Sequence, residues 1–128
     1  MATVTLSVQD ITRGGVTTTY TASGSSPLLN VADTFTFVNT GREAIIFQKT
    51  GAANCNVIFD TPGTVDGLAV AQRTSVVAAG AADAIATTSL VIIGPFPPNT
   101  YNTPGSSLLS GFTVSEITGL SCRVVRLP

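Results

Sequence analysis

Residues 33–60, DTFTFVNTGREAIIFQKTGAANCNVIFD, decide the fold. In DTFTFVN, Phe35 and Phe37 fall on one face and Thr34 and Thr36 on the other, the period-two alternation of a half-buried strand. In EAIIFQK the apolar residues Ala44, Ile45, Ile46 and Phe47 are consecutive, which predicts a central strand covered on both sides, and CNVIF at 55–59 repeats the pattern. Asn39-Thr40-Gly41 and the stretch from Thr50 to Asn54 carry residues that tolerate positive φ, so the three strands read as a meander. A helix does not fit, because each apolar run has only about five residues, is bounded by Gly or Asn, and is rich in β-branched and aromatic side chains.

On the amino-terminal side, TVTLSVQDI places Val4, Leu6 and Val8 on one face and Thr3, Thr5 and Ser7 on the other. Arg13-Gly14-Gly15 turns the chain, and VTTTYTA returns with Val16, Thr18 and Tyr20 pointing one way. Residues 1–22 are then either a hairpin of the sandwich or an arm reaching a neighbour. On the carboxyl-terminal side, Thr61 to Gly67 is a Pro/Gly excursion at one end of the sandwich, and Arg73 to Val77 is a strand. Gly80 makes Ala78 to Asp83 a loop or single turn rather than a helix. Ser89 to Ile93 is a buried strand, ended by Gly94-Pro95-Phe96-Pro97-Pro98, and the loop continues to Gly105. SGFTVSEI and LSCRVVRL pair across Thr118-Gly119, with Leu120, Cys122 and Val124 on one face. Roughly eight to ten short strands and no helical pattern predict an all-β chain: one antiparallel β-sandwich over 1–128, jelly-roll or immunoglobulin-like. No internal repeat is visible.

Hydrophobic residues make up 44% of the chain and charged ones only 10%, against about 25% charged in ordinary soluble domains. A folded monomer of this size exposes roughly 6,300 Å², so charges are sparse and threonine hydroxyls supply the polar faces. Either the sheets are Thr-rich and exposed, or much of the surface is buried in an assembly. A net charge of −1 without a basic run gives no footprint for nucleic acid. No apolar run is long enough for a membrane helix, and the start lacks a signal-peptide pattern, so synthesis in a cytoplasm is expected. Cys55 and Cys122 lie in apolar strands, and reduced buried thiols are the expectation rather than a disulfide.

The chain contains no histidine, which removes the commonest general base, the Ser-His and Cys-His pairs, and most zinc sites. Its carboxylates are scattered at turns and strand ends. Asp60 and Asp66 could meet across TPGTV as a cation site or an acid/base dyad, but the alternating ligands of a calcium loop are missing. No phosphate or dinucleotide cradle is present. The expectation is a protein that is not an enzyme, with no catalytic residues, cofactor or metal. Phe96, set between Pro95 and Pro97-Pro98 with Tyr101 close behind, has two readings. Its ring buries itself over the end of the sandwich, or it anchors a subunit interface from a stiff backbone.

Several stretches together carry a resemblance: VTLSVQDITRGG and TTYTA near the start, FVNTGREAIIFQKTG in the middle, then TPGTVDGLAV and IGPFPPNTYN. They resemble a family of small all-β virion proteins of tailed bacteriophages, regarded as head decoration or cement proteins. TPGTVDGLAV and GPFPPNTYN are the most specific part. The resemblance implies a β-sandwich or jelly-roll-like fold, no catalytic motif, and a homotrimer on the outer surface of the virion head, stabilising it by bridging capsomers of the major capsid protein. On that reading Tyr20, Phe96, Pro97, Pro98 and Tyr101 are the candidate interface residues. The alternatives are a head fibre base, a surface-displayed adhesion or glycan-binding module relying on Tyr20 and Tyr101, and a small hydrolase using Asp60 and Asp66.

Overall fold

The computed structural model describes residues 2–17, 21–22, 30–50, 53–78 and 89–128. In chain order these form β1 (Thr3–Thr5), β2 (Val8–Asp10), β3 (Thr21–Ala22), β4 (Thr34–Thr36), β5 (Glu43–Lys49), β6 (Cys55–Phe59), β7 (Thr64–Val65), β8 (Leu68–Ala69), β9 (Arg73–Val77), β10 (Ser89–Ile93), a single helical turn α1 (Pro98–Tyr101), β11 (Phe112–Val114) and β12 (Leu120–Arg126). One sheet runs β1-β4-β11-β6-β9 and the other β10-β5-β12-β2, with β3 also paired to β12; β7 and β8 form a separate two-stranded ribbon. The chain is an all-β sandwich, as its alternation requires.

The pairing departs from the expected meander. β4 and β6 lie in one sheet and β5 in the other, so both connections around β5 arch across the core instead of closing hairpins. The same holds for β11 and β12: β11 pairs with β4 and β6, whereas β12 pairs with β5 over seven residues. Face-to-face packing satisfies an alternating strand as well as a ladder with its neighbour does, and Gly/Asn loops serve either connection.

The sheets are mixed rather than purely antiparallel. β1 runs parallel to β4 and β2 parallel to β12. The first extended stretch leaves one sheet at Leu6–Ser7 and enters the other, and Leu6 plugs the core at the switch, 4% exposed. β3 pairs antiparallel with Ser121 and Cys122 of β12, so among the described residues the segment around Arg13–Gly15 does not close a β2–β3 ladder. The expected turn at 78–83 lies largely outside the described residues.

The core is built on all six phenylalanines. Phe112 packs against Phe35, Phe47 and Phe59 with centroids 5.4–5.9 Å apart, and Phe59 continues to Phe96 at 4.9 Å. β5 alternates after all: Ile45 and Phe47 are buried, while Ala44, Ile46 and Gln48 are half-covered. β10 was expected to be buried, yet Leu90 is 59% and Ile92 64% exposed. It is an edge strand, and among its described side chains Ile93 and in part Val91 face the core.

Candidate functional site

The two stretches with the most specific resemblance meet, together with the start of β5, at one end of the sandwich. Gly63, in the loop after β6, approaches α1 so closely that a Cβ there would lie 2.5 Å from the Asn99 carbonyl oxygen. Its N–H donates to the Thr100 carbonyl at 3.3 Å. Gly94 leaves β10 with φ +146°, and a Cβ would sit 2.8 Å from the Glu43 carbonyl oxygen. TPGTVDGLAV, GPFPPNTYN and the start of EAIIFQK are therefore welded backbone to backbone, with glycine where a side chain would collide.

Two buried polar groups hold this end together. Asn39 and Asn102 form a reciprocal amide pair: Asn39 Nδ2 donates to Asn102 Oδ1 at 2.6 Å, and Asn102 Nδ2 donates to the Asn39 carbonyl at 3.1 Å. Asn39 Nδ2 also reaches the Phe96 carbonyl at 2.9 Å, and its Oδ1 accepts the Gly41 N–H. The Glu43 carboxylate is fully buried. It accepts the Thr40 and Arg42 N–H groups at 2.8 and 3.0 Å, the Thr40 hydroxyl, and Arg126 Nε at 2.6 Å. Burial by itself would raise the Glu43 pKa, but Arg126 and the Thr40 and Arg42 donors outweigh it and hold the carboxyl below its ordinary value. The sequence showed Glu43 only as a strand-end carboxylate. That it caps a buried loop was not visible, because Arg126 is 83 positions away.

Of the candidate interface residues, Phe96 is fully buried and Tyr101 is 9% exposed. Phe96 stacks edge-on against Phe37 and Tyr101, with centroids at 5.8 and 5.4 Å. These two rings belong to the core and cannot anchor a neighbouring subunit, which corrects the interface reading. Pro97 and Pro98 are exposed beside them, and Tyr20 lies outside the described residues.

The groove at this end is lined by uncharged residues. It has a volume of about 510 Å³ and runs between Gly63, Thr64, Pro98, Asn99 and the loop at 102–106. Beside it projects the β7–β8 ribbon, closed by Asp66 and Gly67, both at positive φ (51° and 76°). Those signs are the ones a two-residue hairpin with an Asp-Gly turn requires. Its flanking pair, Val65 and Leu68, is 64% and 73% exposed. Asp66 caps the ribbon tip, whereas Asp60 at its root accepts the Ser110 hydroxyl at 2.6 Å and a longer contact from Gln72. Among the described residues no three His, Cys, Asp or Glu side chains gather as metal ligands, and no helix is long and apolar enough to cross a membrane.

No protein family, curated protein or solved structure matches the chain.

Proposed function

We infer that the chain is a non-enzymatic structural protein of a virion, which binds the outer surface of a tailed-phage head and clamps neighbouring capsomers. The observation that carries the reading is the convergence just described. The two segments with the most specific resemblance form one backbone-welded end, whose exposed part includes a groove lined by uncharged residues and a ribbon showing Val65 and Leu68 on either side of its Asp66-Gly67 turn. A stiff surface loses little entropy on docking, and burying it across a capsomer boundary stabilises the shell by mass action. The contact surface on this reading is Val65, Leu68, Pro97, Pro98 and Asn99, facing the major capsid protein.

Co-sedimentation with phage heads tests it. The protein is expected to pellet with expanded heads and not with unexpanded precursors, and Leu68→Asp is expected to weaken binding at least tenfold, ~1.4 kcal/mol. Because Leu68 is exposed on the ribbon, thermal unfolding of that variant should stay close to the parent's. A protein that remains in the supernatant with every form of head removes the reading. Of the interface residues expected for a homotrimer, Pro97 and Pro98 stand exposed on this surface, whereas Phe96 and Tyr101 are buried in the core.

A further inference from the structure

β10 is the outermost strand of its sheet, and among the described residues its ladder partner is β5 alone. Its five residues, SLVII, contain no charge and no proline. Natural proteins blunt an open edge with lysine, proline, a bulge or an inward charge, because unpaired backbone groups template further pairing. β10 shows none of these and points Leu90 and Ile92 to the outside, both more than half exposed. On the same outer face the neighbouring positions of β5 are Gln48 and Ile46, and the first charged position in those rows is Arg123, two strands in.

We propose that β10 is the interface between two copies of this chain, paired antiparallel about a two-fold axis at Val91. Self-complementarity identifies the occupant. In that register Val91 opposes its own counterpart, Leu90 opposes Ile92 of the other copy, and Ser89 opposes Ile93. The two exposed aliphatics of each copy then form one four-residue cluster across the seam, and half-buried Val91 is covered. An isologous contact requires a patch that is complementary to itself, and a row of uncharged aliphatics meets that condition in this register. The register is bounded on one side: Pro95 follows Gly94 and has no N–H to extend the ladder. Five residues per copy cover less than the ~800 Å² per partner of a standard interface, so the expected dimer is weak and concentration-dependent.

Sedimentation of the full chain from low to high micromolar concentration tests this. A mass rising from one to two chains is expected, with greater hydrogen-exchange protection of the 89–93 amides at high concentration. Ile92→Lys sets a charge against Leu90 of the other copy and is expected to weaken self-association at least tenfold. Val76→Lys, 53% exposed on β9 of the other sheet, should leave it unchanged. Both sites are exposed, and unfolding curves of the variants check that neither change acts through stability. A parent chain that stays single at the highest concentration, assembles as three, or still pairs as Ile92→Lys overturns the proposal. Head binding is read separately: Leu68 lies on the β7–β8 ribbon, outside this seam, so either result can fail while the other stands.

Discussion

At the scale of the residue, Glu43 and Asn39 show how this sandwich tolerates polar groups in its interior. Glu43 has every oxygen engaged by donors from its own loop or from Arg126, and a buried carboxylate without them would be strongly destabilising. Glu43→Gln keeps the shape but weakens the charge-assisted bonds, with an expected loss of about 2 kcal/mol in urea unfolding. Asp10, on the other side of Arg126 at 3.5 Å and 70% exposed, is the contrast: Asp10→Asn should change stability by less than about 0.5 kcal/mol. The pH dependence follows from the same group. A carboxyl whose folded pKa is depressed contributes stability that is complete above its unfolded value. That contribution is lost as pH falls through the folded one. Stability should therefore fall on acidification below the ordinary carboxylate range, and more gently in Glu43→Gln, as measured by urea midpoints across acidic buffers.

At the scale of the element, the Pro-rich loop after β10 is a core element in spite of its composition. Phe96 fills the end of the sandwich against Phe37, Phe59 and Tyr101, so Phe96→Ala should cost about 3–5 kcal/mol in chemical denaturation even at high dilution. A surface anchor would instead change association and leave the dilute chain's stability alone. The strands themselves were legible: Phe35 and Phe37, Leu120, Cys122 and Val124, and Leu6 are buried and Val4 and Val8 partly so, but Thr36, expected on an exposed face, is buried too, bonded to the Leu109 carbonyl. The direction of Phe96 was not, because an aromatic flanked by prolines has no period to read and its choice between core and surface depends on Phe37 and Phe59. β10 failed for a related reason. A continuous apolar run reads as doubly covered, and only the strand order reveals that nothing described pairs with its far edge.

At the scale of the whole molecule, two free thiols lie on facing sheets, Cys55 on β6 and Cys122 on β12, both fully buried. Burial pushes the Cys122 thiol up to about 12, so thiolate is scarce at neutral pH as well as inaccessible. Alkylation by iodoacetamide should be negligible in the native protein at pH 8 and complete in denaturant. Mass spectrometry reads both, and fast native labelling at Cys122 would contradict the packing described. Among the described residues the core is closed over, while Val65 and Leu68 beside the ribbon turn and Leu90 and Ile92 on the β10 edge are the most exposed large aliphatics.

The sequence by itself determined that the chain is all-β, where most strands lie and which faces turn inward, because the period of two is a local property of an extended backbone. Tertiary structure decided which strands share a sheet, that the first strand crosses between sheets, that Phe96 and Tyr101 belong to the core, and that Leu90 and Ile92 do not. Each of these depends on contacts between residues distant in the chain, such as Phe96 with Phe37 and Glu43 with Arg126. No local pattern encodes a partner's distance along the sequence.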